Sequence, residues 1–436
     1  MFYLPGREYN TSQTSWRWTG NRTIEDQLIA SYAEVYENLI RHDPSYPTPE
    51  HLLSITKIGN VDFEGEMDHD TDGSNMIRDL LLDNDPRPIY LQAWGGTNTI
   101  ARALKSLEDQ YLNTSHWTAV NSTVSRKAII MASGFQDETY VNYILPHWPQ
   151  IRVETLSASA TYFGYNCNRT GEGNTAGLPD YHEYFTGTWT RKNIQTSPYG
   201  KNYRSWLDGQ QMEGDQLDGF GNLTLAREVD PWCPAIDEKY AFLGEGDDIT
   251  YFSLLHTGIE EPSNPNLGSW GGRGERNTTY PNFWVSVSSE EVQGNSSANI
   301  TAYTSYRWIP AIQNDFAARM QWTWTPDYRN GNHHPTVSIL GPGTVRAEPE
   351  STVDLAAAVS DPDGDHVDVS WWQYLEEGTY PEWVEIASHS SKQASVKAPS
   401  NAVPGQTISI ILQGTDDGEF PLTRYDRVTI EVSGER

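Results

Sequence analysis

Residues 61–74, VDFEGEMDHDTDGS, carry an acidic side chain at every second position over an eleven-residue span. Asp68, Asp70 and Asp72, with Asp79 at the twelfth place, match the spacing of a D-x-D-x-D-G calcium loop. A β-strand would stack all these acids on one face, which like-charge repulsion disfavours, so we predict a loop. Three interpretations are open: a solvated acidic loop, a calcium site at Asp68, Asp70 and Asp72, or a substrate contact through Asp72.

The stretch WGGTN at 94–98 follows an apolar run. Trp94 can stack on the face of a pyranose ring, and Asn98 can hydrogen-bond a sugar hydroxyl. Gly95 and Gly96 allow a ligand to approach the backbone closely. A tight strand-to-helix turn with a capping asparagine explains the same residues equally well, so the stretch predicts either a sugar contact or such a turn.

Two further acidic stretches follow apolar runs. Asp137 and Glu138 come after KAIIMASG, where they can act as a ligand and a general base or favour the first turn of a helix. Glu245 and Asp247 lie in LGEGDD. Cleavage of a glycosidic bond needs a carboxylate that activates water and a group that assists the leaving atom. These four acids are the candidate catalytic residues.

Two more polar clusters lie further along the chain. In SWGGRGE at 269–275, Trp270 is a candidate for stacking and Arg273 for a bidentate contact with a carboxylate or sugar diol. We interpret Asp361, Asp363 and Asp365 as a tight Asx-rich turn of the kind found in polycystic-kidney-like or fibronectin-like repeats, with a calcium ion between domains as the alternative.

The elements that must position these residues alternate between strands and helices. Residues 87–96 and 127–134 are predicted to be buried strands that end in glycines, and residues 98–112 are predicted to form the helix between them. This order is typical of a parallel α/β sheet, which binds ligands beyond the carboxyl ends of its strands. The sequence therefore predicts an α/β domain over residues 1–325.

The pattern changes after a linker predicted at 326–335, where His333 and His334 are expected to be solvated. Residues 336–436 contain short strand-like runs separated by turn signals. About a hundred residues of this kind predict an all-β, immunoglobulin-like sandwich.

The motif WGGTNTIARAL at 94–104 is similar to the G-P-L-T-N-x-A-x-A-L turn and helix of nucleoside hydrolases. With DTDGS, DPRP, GEGD, SWGGRGE and QNDFAARMQW, and with DPDGDHVDVSWWQY and TDDGEFPLTRY in the sandwich, the chain resembles the secreted family described as cellulose-binding proteins with a nucleoside-hydrolase-like domain. The resemblance implies a mostly parallel sheet with flanking helices, followed by a sandwich. It also implies that Asp247 is the late carboxylate of a cation site and that Asp72 faces a substrate.

The chain departs from the family pattern at one point. In the family, the first strand carries an Asp-rich motif, which in nucleoside hydrolases supplies calcium ligands and the base that activates water. No such motif precedes Thr19. This predicts either that the first strands of the sheet belong to a longer product or that this member has lost the catalytic cation site.

The net charge and the glycosylation sequons limit the class of protein. A formal charge of −29 argues against nucleic acid and anionic membranes as partners, and no stretch approaches the ~20 apolar residues that span a bilayer. The dense N-x-[ST] sequons favour a secreted glycoprotein. In that compartment Cys167 and Cys233 are predicted to form a disulfide, with two unrelated buried thiols as the alternative. The predicted glycosylation sites are Asn10, Asn21, Asn113, Asn121, Asn168, Asn222, Asn277, Asn295 and Asn299.

The sequence as a whole predicts an extracellular carbohydrate-active protein that hydrolyses a glycosidic bond at a carboxylate site, with calcium as its candidate cofactor. The expected partner is a polysaccharide or oligosaccharide. The alternatives are a non-catalytic cellulose- or polysaccharide-binding protein and a structural surface protein that assembles from copies of itself.

Overall fold

The computed structural model describes residues 23–155, 179, 181–203, 247–287, 289 and 303–434. The α-helices of these residues are α1 (Ala30–His42, preceded by the π-helical Thr23–Ile29), α2 (Pro49–Ile55), α3 (Asp72–Leu82), α4 (Asn98–Tyr111), α5 (Trp117–Lys127), α6 (Leu145–His147, after the π-helical Tyr140–Ile144), α7 (Gly187–Asn193), α8 (Ile249–Phe252), α9 (Tyr303–Tyr306) and α10 (Ile309–Trp322). Short 3-10 helices cover His182–Phe185, Gly200–Asn202, Pro265–Leu267, Tyr328–Asn330 and Leu375–Glu377.

A five-stranded sheet organises the first part of the chain. Its order is β1-β2-β3-β5-β4, in which β4 is antiparallel to β5 and the other neighbours are parallel. Its strands are β1 (Ile89–Ala93), β2 (Ala128–Ala132), β3 (Arg152–Thr155), β4 (Gly274–Arg276) and β5 (Phe283–Ser286). The predicted α/β fold with a mostly parallel sheet is confirmed, as are the two strands and the helix that were predicted before Gly134.

The core of this part lies where α3, α4 and α5 pack against the sheet. Every residue of β2 is buried, which is why its sequence, AIIMA, is apolar throughout. Leu104 and Leu107 of α4 are fully buried in the same cluster, together with Leu81 of α3 and Val124 of α5. The helical spacing of apolar residues in α4 thus serves to bury one of its faces on the sheet.

Two four-stranded sheets form the last part of the chain, as the predicted sandwich requires. Their orders are β10-β11-β8-β6 and β7-β13-β12-β9, with antiparallel neighbours except for the parallel pair β7 and β13. The strands are β6 (Thr336–Ile339), β7 (Thr344–Ala347), β8 (Thr352–Ser360), β9 (Val367–Gln373), β10 (Ile386–Ala387), β11 (Gln393–Lys397), β12 (Thr407–Asp416) and β13 (Thr423–Val432). Alternating residues such as Ile408, Ile410 and Leu412 fill the space between the sheets.

A third apolar cluster joins the two parts of the chain. The indole of Trp308, at the start of α10, packs edge-on against Tyr425 of β13, with ring centroids 5.4 Å apart. Trp372 and Tyr374 belong to the same cluster, and Trp308 and Tyr425 are buried. Because its members come from both parts, the sandwich is fixed to the α/β domain through a shared core.

A buried ion pair and a buried guanidinium group also cross the same boundary. Asp315 of α10 accepts hydrogen bonds from Arg319 Nε (2.6 Å) and from Arg424 Nη2 of β13 (2.9 Å). Arg427 Nη2 lies 3.0 Å from Glu377 Oε1 and also donates to the carbonyl of Leu267 (2.8 Å). The side chains of Asp315, Arg424, Arg427 and Glu377 are at most 14% exposed, so the loss of one partner leaves an uncompensated charge in the interface.

The connection between α10 and β6 is also tied down. The expectation that His333 is solvated is wrong, because the imidazole is buried and stacks on Tyr328 with centroids 3.7 Å apart. Its Nε2 lies 3.0 Å from His42 Nδ1, and its Nδ1 lies 3.0 Å from the carboxylate of Asp363. Helix α1, the linker and the sandwich therefore meet at one buried polar chain.

No helix among the described residues is both long enough and apolar enough to cross a bilayer.

Candidate functional site

The carboxyl ends of β1 and β2 lie next to each other, as parallel pairing requires. The amide of Ser133, just after β2, donates to the carbonyl of Ala93, the last residue of β1 (3.2 Å). Trp94 follows Ala93, and its indole contacts Thr250 of α8. The strand ends and the start of α8 together form the strand-end surface, which contains Trp94, Gly95, Gly134, Gln136 and Asp247.

Trp94 is a half-exposed and firmly oriented ring on this surface. It is 50% exposed, and its Nε1 donates a hydrogen bond to Thr250 Oγ1 (2.9 Å). Thr250 is buried, and its hydroxyl donates a hydrogen bond to Gln92 Oε1 (2.5 Å). Because the hydroxyl accepts from the indole and donates onward, the ring is held at its polar edge while a large part of it faces solvent.

The two glycines of the surface leave space in front of the strands. A Cβ atom on Gly95 or on Gly134 would meet no heavy atom within 4 Å. Gly134 has φ +71°, in the region where glycine is favoured. Open space beside a fixed aromatic ring is the arrangement that a stacking ligand requires.

Asp247 is an acid of the strand-end surface, and its backbone carbonyl lies 2.9 Å from the hydroxyl of Thr250, the partner of Trp94. It is half-buried, and Gln136 Nε2 lies 3.5 Å from its Oδ2, a long and weak hydrogen bond. Glu245, its predicted catalytic neighbour, lies outside the described residues.

Asp137 has a positioning role that its two oxygens fully explain. Oδ2 accepts from the backbone amide of Asn98 (3.1 Å), the first residue of α4. Oδ1 accepts from the backbone amide (2.9 Å) and hydroxyl (2.6 Å) of Thr139. A Cβ on Gly96 would lie 2.1 Å from Oδ2, so glycine at 96 is required for this approach. Asp137 therefore caps α4 from the neighbouring strand end.

This assignment separates two adjacent acids. Replacing Asp137 by alanine is expected to lower the free energy of unfolding by about 2 kcal/mol, because buried donors lose their acceptor. Glu138 is exposed, and Glu138→Ala is expected to change it by less than about 0.5 kcal/mol. Urea unfolding of both variants measures the difference. Equal costs would contradict the capping role.

Asn98 is not open to a sugar, which corrects the prediction of a substrate contact. Its side-chain amide donates to the carbonyls of Asn60 (2.7 Å) and Glu66 (3.0 Å), and the residue is buried. Both donors hold the acidic stretch against the start of α4. The turn interpretation of WGGTN therefore applies to Asn98, and the ligand interpretation fits Trp94.

The acidic stretch is a loop up to Thr71, as predicted, and residues 72–74 begin α3; Glu66 is turned inward. Glu66 is buried and accepts from Asn60 Nδ2 (2.8 Å) and from the amide of Asp68 (2.8 Å). Asp70 forms an ion pair with Arg102 Nε (2.7 Å). Its hydrogen bond from Ser106 and this ion pair hold the pKa of Asp70 below its ordinary value.

The calcium ligands predicted in this loop do not converge. Within the described residues, Asp68, Asp70 and Asp72 do not bring ligand oxygens to one common point, whereas Asp361, Asp363 and Asp365 do. Asp68 and Asp72 are exposed. Asp70 is neutralised by Arg102, so nothing in its surroundings requires a cation. Calcium here, and a substrate contact through Asp72, stay predictions.

Trp270 and Arg273 belong to the domain interface, which corrects their predicted sugar-binding role. Trp270 is 2% exposed and lies in the cluster of Trp308 and Tyr425. Arg273 is 5% exposed, and its guanidinium donates to the carbonyl (2.7 Å) and carboxylate (3.2 Å) of Glu376. Neither side chain can reach a ligand while the domains are packed.

Three of the predicted glycosylation sites lie among the described residues. Asn113 is exposed, and Asn121 and Asn277 are half-buried. The residues that lie outside the described ranges are Cys167, Cys233, Asn10, Asn21, Asn168, Asn222, Asn295 and Asn299. Disulfide formation and glycosylation stay predictions.

The residues that sequence reasoning missed are Gln92, Gln136 and Thr250. Thr250 follows Gln92 by 158 positions, and no local pattern marks either residue as a partner of Trp94. The one available signal was the position of Gln92 and Gln136 near the ends of predicted parallel strands.

Comparison with known proteins identifies relatives of both parts of the chain. Residues 8–273 match the family model described as "Cellulose-binding Sde182, nucleoside hydrolase-like domain". Residues 352–432 match the one described as "Cellulose-binding protein Sde0182, C-terminal domain". No curated protein matches the chain.

A solved structure is similar over almost the whole length. It is that of a nucleoside hydrolase-related hypothetical protein from Saccharophagus degradans that is associated with carbohydrate metabolism. The two are 26% identical, with a TM-score of 0.67, and the match covers 95% of this chain and 88% of that one.

Proposed function

We propose that this chain, which belongs to the cellulose-binding, nucleoside hydrolase-like family, is an extracellular protein. In this proposal it binds cellulose or a related neutral polysaccharide at its strand-end surface. The half-exposed, hydrogen-bonded Trp94 is the observation that carries the proposal. An indole fixed by Thr250 loses little freedom when a ring stacks on it, so little entropy opposes binding.

Charge supports a neutral ligand. With a formal net charge of −29, the chain repels anionic polymers over a Debye length. An uncharged glucan experiences no such repulsion. The strand-end surface offers the side-chain amide of Gln136, which can hydrogen-bond sugar hydroxyls. An aromatic face with polar groups at its rim suits a polysaccharide chain.

Hydrolysis of a glycosidic bond is the second candidate function. The half-buried carboxylate of Asp247 favours it, because this acid lies beside the proposed sugar-binding ring and could activate water. The reaction needs a second participating group, and Asp137 is occupied by the cap on α4. Binding without chemistry is therefore the first candidate.

Trp94→Ala tests the binding proposal. Covering the exposed part of the ring, about 100 Å², contributes roughly 2 kcal/mol, so the variant is expected to bind cellulose about 30-fold more weakly. The measurement is a binding isotherm on microcrystalline cellulose. Trp324→Ala and Trp383→Ala are the matched controls, since these rings are 49% and 57% exposed elsewhere.

The controls also locate a wrong assignment. Wild-type affinity in Trp94→Ala would sink the proposal, and a loss confined to Trp383→Ala would move binding to the sandwich. Release of reducing ends from cellulose that disappears in Asp247→Asn, with binding retained, would favour hydrolysis over binding alone.

A further inference from the structure

A separate cluster of acids lies in the sandwich, just before β9. Asp361, Asp363 and Asp365 each offer a carboxylate oxygen, and these oxygens all lie within 4.8 Å of one another. The turn is ordered by Asp361 Oδ1, which accepts from the amides of Asp363 (2.8 Å), Gly364 (3.0 Å) and Asp365 (3.1 Å). The Asx-rich turn predicted from the sequence is therefore present. Such a turn alone does not imply a ligand.

A second observation concerns Asp416, at the end of β12. It is 3% exposed, and its Oδ1 accepts from Asn332 Nδ2 (2.9 Å) and from the amides of Gly418 (3.1 Å) and Leu422 (3.1 Å). Its Oδ2 is buried and has no hydrogen-bond partner in the described part of the chain. A buried carboxylate oxygen without a partner is costly, and a native fold compensates it with a cation or with water.

Two more oxygens share this property. Asp361 Oδ2 and Asn332 Oδ1 are buried and have no partner among the described residues. Both can only accept, as can Asp416 Oδ2. Asn332 is hydrogen-bonded to Asp416, so the unpartnered oxygens of these two residues are neighbours in the fold. Oxygens that can only accept are suited to bind a cation, which supplies the positive charge that they need.

Strand pairing brings Asp416 to the acidic turn. Asp416 of β12 pairs with Val367, the first residue of β9, and β9 begins two residues after Asp365. The next residue, Asp417, accepts a hydrogen bond from the amide of His366 (2.8 Å). The turn and the end of β12 are therefore held side by side.

The charges act on one another in agreement with this placement. Burial, and after it the neighbouring Asp361, raises the pKa of Asp416. Burial, followed by Asp361, Asp363 and Asp417, raises the pKa of Asp365. The influence of Asp361 on both carboxyls agrees with the placement of the turn beside the end of β12.

We propose that Asp361, Asp363 and Asp365, whose oxygens already converge, form a calcium site at the junction of the linker and the sandwich, and that the neighbouring Asp416 and Asn332 complete its coordination when the ion is bound. Carboxylate and amide oxygens are the ligands of Ca²⁺, which accepts six to eight of them in flexible geometry. Zn²⁺ prefers nitrogen and sulfur, and Mg²⁺ retains its water and binds through few carboxylates.

The ion would act on the domain junction through residues already held there. Asp363 accepts from the amide of His333 (2.7 Å), and Asp416 accepts from Asn332, so two linker residues are bonded to proposed ligands. Calcium that orders these acids also orders the linker between α10 and β6.

Calorimetric titration of the full chain with CaCl2, after treatment with EDTA, tests the site. One Ca²⁺ per chain is expected at this site, with affinity in the range of extracellular calcium modules, and MgCl2 is expected to bind at least tenfold more weakly. Saturating calcium is expected to raise Tm by roughly 2–4 °C.

Two substitutions and a matched control make the site specific. Asp365→Asn keeps the shape of the side chain and removes its charge, and the amides of the turn are held by Asp361, not by Asp365. Asp416→Asn replaces the unpartnered Oδ2. Both are expected to weaken calcium binding at least tenfold. Asp416→Asn is also expected to raise Tm in EDTA, because it removes a buried charge. Asp368→Asn, at an acid that is 82% exposed, is expected to bind like the wild type.

The outcomes that overturn the proposal are distinct. Absence of calcium binding in the wild type, or binding that survives both substitutions, would do so. Loss of binding in Asp70→Asn with retention in Asp365→Asn would place the ion in the acidic loop instead, against the proposal. Cellulose binding by Trp94 is independent of all three results.

Discussion

Replacing Asp315 by alanine is expected to lower the free energy of unfolding by about 3–5 kcal/mol. Its carboxylate accepts from Arg319 Nε (2.6 Å) and from Arg424 Nη2 (2.9 Å), and Arg424 belongs to the sandwich. One carboxylate, with 14% of its side chain exposed, thus compensates two guanidinium groups, of which Arg424 is 9% exposed and Arg319 is 40% exposed. Without it, both charges stay at the interface with no carboxylate between them. Urea unfolding at neutral pH measures the loss.

The pH dependence of this loss has a definite sign. Burial acts to raise the pKa of Asp315, but Arg319 and Arg424 hold it below its ordinary value. A depressed folded pKa contributes stability that is fully present above the unfolded pKa of about 3.9 and is lost as the pH falls through the folded pKa. The difference between wild type and variant is therefore expected to shrink in acid, below about pH 4.

A matched control uses an ion pair at the surface. Asp85→Ala removes the partner of Arg87, whose side chain is 85% exposed, and is expected to leave the stability unchanged within error. A comparable loss in both variants, or a loss from Asp315→Ala that does not change with pH, would contradict the role of Asp315 as the charge that joins the domains.

Gly258→Ala is expected to cost more than about 3 kcal/mol and to weaken the packing of the two domains. Gly258 has φ +94°, and a Cβ there would lie 1.9 Å from the carbonyl oxygen of Tyr425. The preceding residue, Thr257, accepts a hydrogen bond from the amide of Tyr425 (2.9 Å). The clashing carbonyl group belongs to the backbone of β13. The added methyl group therefore has to push β13 away.

The cost of backbone strain alone is given by Gly405→Ala. Gly405 has φ +89°, and a Cβ there would meet nothing within 4 Å, so its substitution is expected to cost about 1–2 kcal/mol. Thermal unfolding and limited proteolysis of both variants measure the difference. If Gly405→Ala is as destabilising as Gly258→Ala, the strand of the sandwich does not press on Gly258.

The architecture was readable from sequence because its signals are local. The apolar run of β2, the glycine turn after β1 and the helical spacing in α4 lie within short stretches, and each predicts an element by its own period. Parallel strands joined by a helix then fix which ends face a ligand. Trp94 was found in this way, since its position follows directly from the end of β1.

What the sequence did not determine is which polar and aromatic residues reach solvent. Trp94 and Trp270 both stand beside glycines in similar motifs, yet Trp94 is 50% exposed and Trp270 is 2% exposed. The difference arises because the sandwich packs over Trp270, and Arg273 meets Glu376, 103 positions away. Exposure and charge pairing depend on which distant surfaces meet, and local periodicity carries no information about that. The sequence determined the sheet and the turn that carries Trp94, and only the tertiary packing decided which tryptophan stayed open to a ligand.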